Sequence, residues 1–167
     1  LLPAACLLLS VAQAHAGLVL HYKFDETSGT TATDSSGSGN TGTLTNMAGS
    51  ERTTGKVGGA LDFDGTNDYV NLGSVASSDP LALAGSAFTF AAWINPTLTG
   101  DSHQRIVDKS TNQSGADGYV LRVGTSGSDY GKFGLSVNWN VYSTVSAEVV
   151  PDTWSHVAAT GDGVNYK

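Results

Sequence analysis

The sequence predicts an all-β fold, an antiparallel β-sandwich, and three observations carry that prediction. Of 167 residues, 21 are glycine and only 14% are charged, the balance going to Ser, Thr and Asn; such a mixture is poor for helices and good for short strands joined by tight turns. Short apolar runs with strand alternation recur at intervals typical of sandwiches. No stretch shows a helical period with caps. The length fits one domain with enough core to fold without disulfide or metal staples.

The chain opens on an uncharged apolar run, Leu1 through Ala12, followed by the small-x-small pattern Ala14-His15-Ala16 before Gly17. That is the apolar and cleavage part of a secretory signal peptide. No initiator Met and no basic start precede it, so residues 1–16 are expected to be a signal peptide lacking its start, and residues 17–167 the exported domain. The run is too short to cross a bilayer, and no later segment predicts a transmembrane span. A lipid anchor at Cys6 is disfavoured because the residues after it stay apolar. Cleavage removes the sole Cys, so the secreted or cell-surface domain must rely on its core even in an oxidising compartment.

Within the domain, 18–24 alternates and places Leu18, Leu20, Tyr22 and Phe24 on one strand face. A long Gly/Ser/Thr/Asn loop is expected from about 26 to 42. Runs 60–63 and 69–72 flank Asp64-Gly65-Thr66-Asn67 in a hairpin-like arrangement. Residues 88–94 are nearly apolar on both faces, which predicts a strand interior to a sheet. Runs 105–109, 119–123, 133–137, 142–146 and 154–160 complete the series. If pairing along 133–140 is unbroken, Phe133, Leu135, Val137 and Trp139 share a face, and Ser136, Asn138 and Asn140 share the other.

A net charge of −7 with only eight scattered Lys and Arg argues against a nucleic-acid partner, because a phosphate-binding face needs clustered cations. The excess of carboxylates is read first as solubility, with divalent-cation binding as the sharper alternative.

Four ordered segments resemble the LamG-like jelly-roll family of the concanavalin A-like lectin/glucanase superfamily. They are Tyr22-Lys23-Phe24-Asp25-Glu26-Thr27-Ser28-Gly29 with Asp34-Ser35-Ser36-Gly37-Ser38-Gly39-Asn40 after it; Gly55-Lys56-Val57-Gly58-Gly59-Ala60-Leu61-Asp62-Phe63-Asp64-Gly65 leading into Asp68-Tyr69-Val70; Phe88-Thr89-Phe90-Ala91-Ala92-Trp93-Ile94-Asn95-Pro96; and Trp154-Ser155-His156-Val157-Ala158-Ala159-Thr160, then Asp162-Gly163. The resemblance covers nearly all of 17–167. It implies a concanavalin A-like jelly roll, and a non-catalytic module recognising carbohydrate or protein surfaces. It also implies further strands beyond Tyr166-Lys167, so the domain is expected to be truncated at its C-terminus and part of a larger multidomain chain. The alternatives are an accessory domain of a larger secreted glycosidase or sialidase-type enzyme, or a cell-surface adhesion or spacer domain.

Enzymatic chemistry finds no constellation. Glycoside hydrolysis needs two carboxylates about 5–10 Å apart, and the superfamily's glucanases carry Glu-x-Asp-x-Glu on one strand. Here Glu26, Glu51 and Glu148 are isolated, and Asp62 and Asp64 match the family's Phe-Asp-Gly turn, which implies a structural role. His21, His103 and His156 have no short metal-ligand spacing; His156 in the Trp-x-His-Val motif is expected to be a hydrogen-bonded, half-buried framework residue.

Calcium is the one cofactor with a case. Asp25, Asp34 and Asn40 supply hard oxygen ligands among glycines, and jelly-roll relatives often hold a structural calcium near the first strand. The alternative, Asx-turns in a solvated loop, stays open. For a glycan face, Asn138, Trp139, Asn140 and Tyr142 form the densest cluster of aromatic and amide side chains, with Tyr130 nearby; parity favours a core position for Trp139. Trp93 and Trp154 lie in the framework motifs and are expected to pack inside. The expected partner is a glycan or an extracellular protein.

Overall fold

The computed structural model describes residues 17–74, 79–83, 87–100, 103–110, 118–138 and 148–167, together with the backbone of 140–143. All regular pairing is antiparallel and, among the described residues, the only helical turns are two short 3-10 segments, Pro80–Ala82 and Gly127–Asp129. The strands are β1 (Thr31–Ala32), β2 (Gly42–Thr45), β3 (Arg52–Thr54), β4 (Gly59–Leu61), β5 (Tyr69–Asn71), β6 (Phe88–Ile94), β7 (His103–Lys109), β8 (Tyr119–Gly124), β9 (Phe133–Val137), β10 (Asn140–Ser143) and β11 (Ser155–Gly161).

Two layers make the main core. One is the sheet β10-β9-β8-β7 and the other the pair β11-β6. Their inward residues follow the two-residue strand period: Leu121, Val123, Phe133 and Leu135 from the first layer meet Phe90, Ala92, Val157 and Ala159 from the second. The Phe90 and Tyr119 rings, one from each layer, sit with centroids 5.2 Å apart. The Tyr119 hydroxyl satisfies itself by donating to the Leu81 carbonyl at 2.7 Å, and burial pushes its pKa up to about 12, with the Asp79 charge adding to the effect.

A second, smaller core gathers Ala32, Leu44 and Met47 with Tyr22, Phe24, Leu61 and Val70. It belongs to the three-stranded sheet β1-β2-β5 and the β3-β4 hairpin. The β3-β4 turn is tight because Gly58 takes φ +64° and the Gly55 N–H returns to the Gly58 carbonyl at 2.9 Å.

Several expectations are corrected. Segment 18–24 is not a strand: Tyr22 makes a single bridge to Asp34, Leu18 is 60% exposed, and Phe24 turns to φ +57°, which ends the extended run. The expected loop 26–42 contains β1, a pairing invisible in its Thr and Ala side chains. Runs 60–63 and 69–72 do not pair with each other; β4 pairs with β3, and β5 with β2. Strand β6 pairs with β11 among the described residues, and its burial alternates, so it is not buried on both faces as its apolar sequence suggests. The alternation along 133–140 is interrupted, because Val137 pairs with Asn140 across a chain reversal. The expected signal segment 1–16 lies outside the described residues. Among the described residues, no helix is long and apolar enough to cross a membrane.

Candidate functional site

Of the predicted cation ligands, Asp34 has both carboxylate oxygens engaged in hydrogen bonds. Asp34 Oδ1 accepts from the backbone N–H of His21 (3.0 Å) and of Ser36 (2.8 Å), and Oδ2 from the Ser36 hydroxyl (2.8 Å) and the Asn40 N–H (2.9 Å). Partial desolvation opposes ionisation there, but the donors from Ser36, His21 and Asn40 prevail and hold the carboxyl well below the usual range. The Asn40 side-chain amide donates to the Val19 carbonyl, and the Asn40 backbone carbonyl accepts from the Tyr22 hydroxyl. Burial, with the Asp34 charge, raises Tyr22 to about 12. Asp25 is engaged elsewhere, accepting from Gly59 N–H at 2.8 Å. Among the described residues, no three His, Cys, Asp or Glu side chains group to hold a metal ion. Satisfied by N–H and O–H donors, Asp34 is the centre of an Asx-turn scaffold, and the arrangement does not fit a calcium site built from Asp25, Asp34 and Asn40.

Of the predicted glycan cluster, Asn138 is exposed with φ +46°, and its N–H donates to the Gly118 carbonyl at 3.0 Å. Trp139 lies outside the described residues, as do the side chains of Asn140 and Tyr142. Backbone register pairs Asn140 with Val137 and Tyr142 with Leu135. Tyr130 is 44% exposed.

Beside the β3-β4 hairpin lies an open groove of about 500 Å³ lined by Asp25, Glu26, Arg52, Thr54, Gly58 and Gly59, among others. Its charged groups are committed to the fold. Glu26 accepts from Thr33 N–H (2.7 Å) and from Arg52 Nη1 (3.2 Å), while Arg52 Nη2 donates to the Gly29 and Thr31 carbonyls. Desolvation opposes the Glu26 charge, yet Thr33 and Arg52 bring its pKa below the ordinary value. Glu51 accepts from the N–H groups of Ala48 and Gly49 and from the Ser50 hydroxyl. Both carboxylates therefore brace loops.

The exposed aromatic site is on the outer face of β6 and β11, where sequence reasoning expected packing. Register sets Thr89 opposite Thr160, Ala91 opposite Ala158 and Trp93 opposite His156. The strand period sends Phe88, Phe90, Ala92 and Ile94 into the core, so Trp93 must face out, and it is 45% exposed. His156 is exposed rather than half-buried, and its ring meets Trp93 edge-on with centroids 5.1 Å apart. Lys56, from the β3-β4 turn, places Nζ 5.9 Å from the Trp93 ring centroid. Trp154 is half-buried. The result is a strip of small Thr and Ala residues ending in an indole flanked by two nitrogen-bearing side chains. Strand parity within 88–94, with Phe88 and Phe90 inside, was the available signal for it; the apolar Ala91 and Ala92 masked that parity.

The family profile Laminin_G_3, described as the concanavalin A-like lectin/glucanases superfamily, matches residues 64–167. The match begins after the first of the four quoted segments and at the end of the second, and it includes Trp93 and His156. No curated protein and no solved structure matches the chain.

Proposed function

The chain belongs to the concanavalin A-like lectin/glucanases superfamily, and on that premise we propose that it is a non-catalytic, exported carbohydrate-binding module that uses the outer face of β6 and β11. The observation that carries this reading is the 45% exposed Trp93 at the end of a strip of small residues. An indole face offers a large rigid apolar surface to the C–H face of a sugar ring, and its low conformational entropy suits recognition. Thr89 and Thr160 supply hydroxyls along the same strip. The absence of catalysis is our reading too: Glu26 and Glu51 are held by Arg52 and by backbone donors, which lower rather than raise their pKa values, whereas a general acid in glycoside hydrolysis needs a raised one. Structural calcium is not part of the reading, because the ion would have to displace four hydrogen bonds from Asp34.

Titration calorimetry of a polysaccharide panel against the wild-type protein and Trp93→Ala tests the proposal. Binding to at least one glycan, weakened at least about tenfold by the substitution, is expected. Failure of every glycan to bind, or unchanged affinity in Trp93→Ala, overturns it.

A further inference from the structure

We infer that the Trp93 site selects acidic polysaccharides, sugar chains carrying ring carboxylates, over neutral ones; this rests on the carbohydrate-binding reading above and names its ligand class. The reason is the charge beside the indole. Lys56 and His156 arrive from different elements, the β3-β4 turn and β11, and both converge on one exposed ring. In a chain of net charge −7 with eight Lys and Arg, this juxtaposition is not background. Among the described residues, neither Lys56 nor His156 takes part in an ion pair; the two that exist are Arg52–Glu26 and Arg105–Asp108. Among the described residues the Lys56 ammonium has the Trp93 ring rather than a carboxylate as its neighbour, a weak hold at an exposed site. A sugar stacking on Trp93 would displace the ammonium from the ring face, and a carboxylate at the sugar's rim offers it a charge-assisted hydrogen bond and offers His156 an acceptor. A neutral sugar would use the indole and leave the cation unused. A simple polyanion would use the cation and leave the indole unused.

The experiment measures affinity of the whole chain for three probes at low and at moderate salt: polygalacturonate, a neutral dextran and polyglutamate. Wild type is expected to bind polygalacturonate about tenfold or more tighter than dextran, with the preference shrinking as salt rises. Lys56→Gln should bring polygalacturonate down to the dextran level, and His156→Gln should reduce the preference in part. Trp93→Ala should remove binding of both polysaccharides. Equal affinity for polygalacturonate and dextran overturns the inference but leaves the carbohydrate-binding reading standing. Loss of all binding to sugars overturns both. Polyglutamate bound as tightly as polygalacturonate, or a preference that survives Lys56→Gln, also overturns the inference. Near-identical thermal unfolding of Lys56→Gln and wild type checks that the exposed turn is intact.

Discussion

The Asp25 carboxylate accepts a hydrogen bond from the backbone N–H of Gly59, 34 residues further along the chain, at 2.8 Å. This contact holds the segment after Tyr22 and Phe24 against β4. It works only because residue 59 has no side chain: a Cβ there would collide with the Phe24 carbonyl oxygen and crowd the Asp25 Cα. Gly59→Ala is accordingly expected to destabilise the protein by about 1–3 kcal/mol, as overpacking does. Urea unfolding checks this, and a midpoint equal to wild type would contradict the close approach.

Trp93 and Leu121 should separate binding from stability. Leu121 is 2% exposed in the main core, so Leu121→Ala should cost about 2–5 kcal/mol. Trp93→Ala removes an exposed cross-strand neighbour of His156 and should cost under about 1 kcal/mol. Parallel denaturation curves of the two variants provide the comparison. A large loss for Trp93→Ala would mean that the indole is a core residue after all.

The Asp34 scaffold should be sensitive to acid and insensitive to chelator. Its folded pKa lies well below that of an unfolded Asp, about 3.9. The unfolded state therefore binds the proton more readily. Its contribution is complete above about pH 4 and is lost as pH falls toward the folded value. Asp34→Asn, which keeps the size but loses acceptor strength, should lower the melting temperature at neutral pH and flatten its fall below pH 4. EDTA should leave the wild-type melting temperature unchanged, whereas a rise on adding calcium would restore the metal reading of this loop.

Arg105 and Arg122 stand directly opposite each other on β7 and β8, a like-charge pair that antiparallel sheets disfavour by about 0.2–1 kcal/mol. Asp108 relieves Arg105 through a 2.6 Å contact; burial lowers the Arg122 pKa, the Asp129 charge opposes that and Arg105 adds to it. His103 registers this field: partial burial, then the charges of Arg122 and Arg105, lower its pKa, with Asp129 working against them. Arg122→Gln should thus raise the His103 pKa toward its ordinary value, which NMR titration of the imidazole measures. Because folding favours neutral His103, wild-type stability from this group is present above about pH 6.5 and declines as pH drops below it. The variant should show a weaker decline.

Much of the fold was legible in the residues. Strands at 88–94, 119–124, 133–137 and 155–161 announce themselves by apolar residues such as Phe90, Leu121, Leu135 and Val157, which alternate or cluster where burial demands it. The strands that escaped notice, Thr31–Ala32 and Arg52–Thr54 among them, are short and polar, and owe their extended state to partners far along the chain. The site was harder to read. His156 and Trp93 each sit in a recognisable framework segment, but only register makes them neighbours, and Lys56 joins them from a turn 37 positions before Trp93.

By itself, then, the sequence determined the β class, the jelly-roll kinship, the net acidic charge, and the Asx-rich character of the loop around Asp34. Those properties are local or compositional, and they survive whatever the chain does at long range. Tertiary structure alone decided that Asp34 spends its oxygens on backbone donors, that Gly59 must lack a side chain, and that Trp93 points outward beside His156 and Lys56. Strand alternation says that two faces exist. Which face meets the core depends on the strand's pairing partner and on the layer stacked against it, and those relationships form only when the sheets come together.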